Sequence, residues 1–457
     1  MRRRDLLTSA CAGLTAAAMT GAGWTKPARR PPNFIVILCD DLGYGDISVT
    51  NPKGINTPAL EAMAREGVVL TDYYAPANIC TPSRAGLLTG RYPIRTGLGY
   101  EVIMQADDRG LPLTETTIPK ALGPGYVSGL FGKWHLGHTS AYWPPTRHGF
   151  DTFFGIPYSH DMSPLSLFEA HAGSDQVEES PVDFPTLQQQ FYAHAERFIQ
   201  ANKDRPFFVE LALSSPHLPE HPNPGFDPRT AAGPYGAVVA EIDSIVRRLL
   251  DKLKALDLDD DTLVILTSDN GPWFEGSSGG LRDRKGGAGF DGGYRVPFIA
   301  RWPGVVGPGQ RSNAIAMGID ILPTLCALAG VKLPSGLVVD GKDIASVLTR
   351  GAASPHDQLI LFDNETPVAI RTQDWKYVAA GYYRGARLPY EMLGYSELFD
   401  VAADPGENYS VAAEHPEIAA DLKARLARAR TDFAALKHKD IPPVFQKMHA
   451  MLEHIQD

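Results

Sequence analysis

The chain predicts an α/β protein: a mixed, mostly parallel sheet sandwiched by helices, followed by a smaller C-terminal α+β domain. Three observations carry this. The runs Phe34-Ile35-Val36-Ile37-Leu38-Cys39, Phe207-Phe208-Val209-Glu210-Leu211-Ala212-Leu213 and Thr262-Leu263-Val264-Ile265-Leu266-Thr267 are nearly continuous apolar stretches of strand length, as strands buried on both faces require. Segments of helical spacing lie between them, so strands and helices alternate. Beyond residue 340 the pattern changes to short strands at antiparallel spacing and then a helix.

In chain order, Arg2-Arg3-Arg4-Asp5-Leu6-Leu7 and the small apolar run to Gly23 form a basic, then apolar leader too short to span a bilayer. Residues 1–30 are therefore expected to be a twin-arginine-like export signal, directing the chain to a bacterial periplasm without stable membrane insertion. Thr57-Pro58 should cap a helix with Leu60, Met63 and Ala64 on one face. Another helix should begin at Cys80, with Pro82 in its first turn and Gly90 closing it. Residues 126–131 read as a strand, and from Tyr235 the positions Val238, Val239, Ile242, Ile245, Val246, Leu249 and Leu253 recur at helical spacing. The Pro/Gly-rich Leu333-Pro334-Ser335-Gly336 places a boundary near Asp340, giving an N-terminal domain over 31–340 and a C-terminal one over 341–457. In the latter, 359–362, 368–371, 376–379 and 397–400 are short strands, and a helix from Pro416 carries Ile418, Leu422, Leu426 and Phe433 on one face. The amphipathic stretch after Ile441, with Phe445, Met448, Met451 and Leu452, is expected to dock on the body or to support a homo-oligomer.

Composition narrows the function classes. At 457 residues the chain exceeds the usual size of one core. Hydrophobic content of 44% and charged content of 21% exclude wholesale disorder, and a net charge of −10 argues against a general nucleic-acid surface. Any anionic ligand must be met locally. Of the cysteines, Cys11 lies in the leader, while Cys39 and Cys326 sit in apolar runs and read as small buried hydrophobes.

The polar residues fall where an open α/β sheet binds ligands, at the carboxyl ends of strands. Asp40-Asp41 and Asp269-Asn270 each follow an apolar run and offer only oxygen ligands, and the adjacent Asp40 and Asp41 would repel each other unless a cation sat between them. Such a set suits calcium or magnesium better than zinc or copper. Cys80 opens a helix, where free N–H groups favour an anion, and Arg84 lies on the same helical face. Lys133 and His135 are two apart, so an extended segment would project both to one side with Trp134 on the other.

The segment Cys80-Thr81-Pro82-Ser83-Arg84-Ala85-Gly86-Leu87-Leu88-Thr89-Gly90 resembles the C-x-P-S-R-x-x-x-L-x-G signature of the type I sulfatases. Gly132-Lys133-Trp134-His135-Leu136-Gly137 resembles the family's G-K-W-H-x-G element, His217 its strand-end histidine, and Lys285 its lysine before Gly292-Gly293-Tyr294-Arg295-Val296-Pro297. Arg284 beside Lys285 leaves open which cation acts. Gly155-Ile156-Pro157-Tyr158-Ser159-His160-Asp161, Gly110-Leu111-Pro112-Leu113 and Asp404-Pro405-Gly406-Glu407-Asn408 look most like the branch of arylsulfatase A and the N-acetylgalactosamine sulfatases, over residues 32–408.

The resemblance implies an alkaline-phosphatase-like fold and hydrolysis of aryl or carbohydrate sulfate monoesters through a covalent intermediate. A formylglycine-generating enzyme would oxidise Cys80 to the aldehyde that carries this chemistry. Calcium, or magnesium, would be held by Asp40, Asp41, Asp269 and Asn270 together with residue 80. Cys80, Arg84, Lys133, His135, His217 and Lys285 would be catalytic, with His217 as acid and His135 as base. Ser159, with Lys133, His217 and Lys285, would contact the sulfate. Two other readings stand beside this one: a phosphomonoester or phosphonate ester hydrolase of the same superfamily, and a sulfated-glycan binding protein in which Cys80 is never oxidised.

Overall fold

Alternation along a buried strand sends successive side chains to opposite faces, and the first strand divides itself between two cores in this way. Phe34, Val36 and Leu38 join one core; Ile35, Ile37 and Cys39 join the other. The computed structural model describes residues 30–229, 232–383 and 386–439; the expected leader and the amphipathic stretch after Ile441 lie outside the described residues.

The strands up to residue 317 are β1 (Asn33–Asp40), β2 (Val68–Leu70), β3 (Tyr73–Tyr74), β4 (Val127–Lys133), β5 (Thr152–Ile156), β6 (Ser166–His171), β7 (Val177–Pro181), β8 (Phe207–Pro216), β9 (Thr262–Ser268), β10 (Phe298–Arg301), β11 (Gln310–Ser312) and β12 (Ala316–Met317). Ten of them form one sheet in the order β11-β2-β10-β9-β1-β8-β4-β5-β6-β7, while β3 pairs with β12. The central run β9-β1-β8-β4-β5 is parallel, and β10, β6 and β7 pair antiparallel toward the edges. One face is covered by the helices Cys80–Thr89 and Ile321–Ala329, which add Ala85, Leu87, Leu88, Leu322 and Leu325. The other is covered by Leu187–Ala201 and Gly233–Ala255, which add Phe191, Ile199, Ile242, Ile245 and Leu249. Each such Leu, Ile or Phe contributes about 1.5–3 kcal/mol of burial energy, so the two apolar faces hold the sheet in the middle.

Parallel pairing brings the carboxyl ends of these strands to one edge. Asp40 ends β1, Lys133 ends β4, His217 follows β8 and Asp269 follows β9. Gly132, at φ +128°, is required just before Lys133, since a Cβ there would lie 1.8 Å from the Ala212 carbonyl oxygen of the neighbouring strand.

A second, antiparallel sheet follows, built from β13 (Leu359–Asp363), β14 (Thr366–Arg371) and β15 (Trp375–Val378), with the hairpin of β16 (Ala380–Tyr383) and β17 (Ala386–Pro389) interposed before β18 (Glu397–Asp400). The helix Pro416–Phe433 lays Leu422, Leu426 and Phe433 on it, while Ile418 is half-buried. Its core also takes in Tyr92, Ile94, Tyr294 and Met317 from earlier in the chain. Buried ion pairs make further links: Lys376 Nζ lies 2.5 Å from Asp291 and 2.6 Å from Glu407, and Arg371 lies 2.7 Å from Asp72. Among the described residues no helix is long and apolar enough to cross a membrane.

The helix at Thr57-Pro58 forms, over Pro58–Arg65, but Thr57 does not cap it with its side chain. Its hydroxyl pairs with Ser48 instead, at 3.0 Å, and the first-turn N–H groups of Ala59 and Leu60 donate to the Asp243 carboxylate at 3.1 and 2.9 Å. A cap supplied from another helix is invisible to local spacing. Asp243→Ala is expected to lower stability by about 1–2 kcal/mol, the usual cost of a lost cap, with Asp243→Asn, which keeps one of the two acceptor oxygens, falling in between; urea unfolding of both variants checks this.

Candidate active site

The site begins with a register. Cys39 is paired with Ser268, so the residues that follow, Asp40-Asp41 and Asp269-Asn270, leave adjacent strands side by side. Asp41 turns with φ +67°, which an aspartate tolerates better than most residues. Its N–H donates to Asp269 Oδ1 at 3.2 Å, and Asn270 Nδ2 donates to Asp41 Oδ1 at 2.7 Å. Both strand-end pairs thus converge on one buried point.

Cations from other elements answer these carboxylates. Lys133 Nζ lies 2.6 Å from Asp40 Oδ2, Arg84 Nε 2.8 Å from Asp269 Oδ2, and Lys285 Nζ 2.7 Å from Asp41 Oδ2. Arg84 also donates through Nη1 to the Lys133 carbonyl at 3.0 Å. Burial opposes ionisation of Asp40, but Lys133, His217, Arg84 and Lys285 overcome it and hold the carboxyl well below the ordinary range. Asp269 moves the other way. Burial, opposed by Arg84 and reinforced by Asp40, lifts it to about 6. Lys285 is kept charged despite burial, chiefly by Asp41.

Cys80 opens the helix Cys80–Thr89, which Gly90 closes at φ +68°. Its Sγ lies 3.6 Å from Asp40 Oδ1. Thr81 braces the surroundings: its hydroxyl donates to the His135 carbonyl at 2.9 Å and accepts from the Ile103 N–H at 3.0 Å.

The histidines are held in defined orientations. His135 is not in an extended segment as the spacing suggests; its φ is +59°, because β4 has ended at Lys133 and the chain turns there. Its Nε2 lies 2.9 Å from the Ile103 carbonyl, which can only accept, so Nε2 carries the hydrogen and Nδ1 is left as a buried lone pair. Burial, Lys133 and Arg84 all depress its pKa, so the ring is neutral. By the same reasoning His217 Nδ1 donates to the Leu218 carbonyl at 2.6 Å, which aims Nε2 at Asp41 Oδ2, 3.6 Å away.

Of these groups, Cys80, His135, His217 and Lys285 line a cleft of about 460 Å³, a size suited to a small ligand. Its walls include Ile79, Val102, Met104, Met162, Leu218 and Trp273. Ser159 also lines it, with a buried Oγ that has no hydrogen-bond partner among the described residues. Arg284 points elsewhere: it donates to the Trp273 carbonyl and lies over the Phe274 ring.

The residues fit a hard cation. Ligand atoms of Asp40, Cys80 and Asp269 lie within 4.8 Å of one another, as do those of Asp41, Cys80 and His217. Asn270 Oδ1 is buried without a hydrogen-bond partner among the described residues, an acceptor waiting for a positive charge. Its neighbours supply the carboxylate oxygens that calcium and magnesium prefer.

Thr81 as a brace and the segment 101–105 as a wall carry no signal in the sequence. Thr81 occupies a variable position of the signature, and nothing in the composition of 101–105 distinguishes it from an ordinary loop. Their importance appears only when the loop packs over the helix start.

Comparison with known proteins agrees with this geometry. The Sulfatase family model matches residues 32–331, and the model described as N-sulphoglucosamine sulphohydrolase, C-terminal, matches 288–432. The chain belongs to the type I sulfatase family and is a sulfuric ester hydrolase. It is 36% identical to arylsulfatase A of Homo sapiens, over 94% of this chain and 92% of that protein, and 33% identical to steryl-sulfatase of Mus musculus, over 88% and 83%. Its place is near the arylsulfatase A branch. The PsFucS1 sulfatase from Pseudoalteromonas sp. superimposes with a TM-score of 0.82 at 27% identity, covering 90% of this chain and 92% of that one.

Purified protein is expected to hold about one calcium or magnesium per chain by elemental analysis, as hard cations choose such ligands. Asp269→Ala should lose it while keeping the wild-type circular dichroism spectrum. Stoichiometric zinc would refute the assignment.

Proposed function

We propose that this enzyme cleaves aryl or carbohydrate sulfate monoesters with Cys80 converted to formylglycine. One observation carries the reading. Residue 80 opens its helix on the lining of the cleft, with Sγ 3.6 Å from Asp40 Oδ1 and within ligand distance of Asp40 and Asp269 on one side and of Asp41 and His217 on the other, so the group it carries stands where the charged side chains converge. Formylglycine supplies there a hydrated aldehyde, with one hydroxyl to attack sulfur and another whose deprotonation allows sulfate to leave. A calcium ion, or magnesium in its place, held by Asp40, Asp41, Asp269, Asn270 and residue 80, supplies positive charge against the sulfonate oxygens.

The remaining work falls to side chains whose positions are described above. Lys133 and Lys285 hold sulfonate oxygens, with Arg84, whose Nη2 is buried without a hydrogen-bond partner among the described residues, beside them. The Ser159 hydroxyl meets the same group. His217 gives the proton at Nε2 to the departing oxygen, and His135 takes a proton at Nδ1 from residue 80. The apolar walls suit an aryl ring or the apolar face of a sugar. In this reading 31–340 is the catalytic domain, 341–457 supports it, and the leader exports the chain to a bacterial periplasm.

Protein from its native host should yield a Cys80 peptide that has lost its sulfur and reacts with hydrazides, read by mass spectrometry. Full activity with an intact thiol would refute the mechanism. Lys133→Ala should lower kcat/KM by roughly 10²–10³ for every sulfate ester, the usual cost of one preorganised donor. His217→Ala should instead depend on the leaving group, severe for a sugar sulfate and mild for nitrophenyl sulfate, whose phenolate departs without a proton. Equal losses on both substrates would remove His217 from the role of acid.

A further inference from the structure

A second cavity, of about 440 Å³, adjoins the catalytic cleft. The two have almost the same volume, and the chemistry of their walls rather than their size tells them apart. Glu101 lines both. Tyr100 lies beside it, and the remaining wall comes from the C-terminal part: the turn Asp363-Asn364-Glu365-Thr366 between β13 and β14, Tyr382 and Arg387 of the hairpin, and residues 437–439 beyond the last helix.

The shared wall is unusually constrained. Glu101 and Asn364 both have positive φ, +52° and +50°. They are locked to each other twice, since the Glu101 N–H donates to Asn364 Oδ1 at 2.9 Å and Asn364 Nδ2 donates to Glu101 Oε1 at 3.0 Å. Side-chain residues held in the left-handed region persist where their surroundings over-determine them, and such positions cluster at binding sites. Here they fix the rim of the catalytic cleft to the C-terminal sheet.

The lining offers donors and acceptors in alternation. Tyr382 Oη donates to Asp363 at 3.0 Å, Arg387 lies 3.3 Å from the same carboxylate, and His438 lies 2.6 Å from Glu365. The charges of Asp363 and Arg387 offset each other, and the lining as a whole presents both donors and acceptors, which suits a ligand rich in hydroxyls, each able to give and accept a hydrogen bond. Lys437 is the exception. It is half-buried, its Nζ donates to Thr366 Oγ1 at 3.1 Å, and no carboxylate lies within salt-bridge distance of it among the described residues. Burial, with Arg387 and Arg430 outweighing the more distant Glu365, lowers its pKa from the ordinary lysine value.

We infer that this cavity binds a second sugar residue of an oligosaccharide substrate, with Asp363, Arg387 and Tyr382 meeting its hydroxyls and Lys437 an anionic substituent. The inference rests on the sulfatase reading of the neighbouring cleft and narrows its substrate class to sulfated oligosaccharides.

The full-length, formylglycine-bearing enzyme would be assayed on nitrophenyl sulfate, on sulfated monosaccharides, and on end-sulfated tetrasaccharides from glycosaminoglycans and carrageenans. At least one tetrasaccharide should be hydrolysed with a kcat/KM well above that of its own terminal monosaccharide. For that tetrasaccharide Lys437→Ala and Arg387→Ala should each lower kcat/KM about tenfold, mainly through KM, the scale of one lost charged hydrogen bond. Hydrolysis of nitrophenyl sulfate should stay within about twofold of wild type, since the small ester never reaches the cavity. Nitrophenyl sulfate turnover with no tetrasaccharide preferred over its monosaccharide would overturn the inference and leave the sulfatase reading standing. Parallel losses on both substrates, or none on either, would likewise overturn it. Failure of the modified enzyme on every sulfate ester would remove both.

Discussion

The constraint from which the rest of this structure follows is the repulsion among Asp40, Asp41 and Asp269 at the ends of two adjacent strands. Burying one carboxylate without a partner is costly, and burying three together is untenable without compensation. The compensation comes from distant parts of the chain: Arg84 from a helix, Lys133 from the end of β4, and Lys285 from a loop. Each cation that neutralises an aspartate is also brought to the Cys80 side of the cleft. Stability of the buried cluster and the positive charge acting on residue 80 are thus served by the same side chains.

Holding Lys285 in place requires support, because loops do not position charges unaided. Its N–H donates to the Pro272 carbonyl at 3.0 Å, and the next N–H, of Gly286, donates to the Asn78 carbonyl at 3.0 Å. Farther along, Asp291 receives Lys376 from β15, and its N–H donates to Glu407 at 2.7 Å. The C-terminal sheet therefore buttresses the segment that carries one of the site's cations. A buried network of this kind gains little net energy over an apolar core, but losing one member would strand the others. Its contribution is geometric.

The helix over the Cys80 segment was legible because its signals are local: proline in the first turn, glycine at the end. The same holds for the parallel strands, whose apolar runs have no polar face to hide. The cap of the helix at Pro58 is not legible, for the opposite reason. Thr57 has the right chemistry at the right place, yet Ser48 takes its hydroxyl and Asp243 fills the role. The spacing of Lys133 and His135 reads as one extended segment, whereas the strand ends at Lys133 and the backbone turns to positive φ at His135. In both cases a neighbour distant in sequence decided the outcome.

The sequence by itself determined which residue types stand at the carboxyl ends of the strands, since hydrophobic periodicity and strand length depend on adjacent residues alone. It also determined the family, through motifs that are contiguous in the chain. Only the tertiary structure decided the tautomers of His135 and His217, because the carbonyls of Ile103 and Leu218 set them, and that Lys285 reaches Asp41 while Arg284 lies over Phe274. The join between the catalytic cleft and the cavity of the C-terminal sheet was likewise beyond the sequence. Glu101 and Asn364 are 263 residues apart, and no local pattern records a contact of that span.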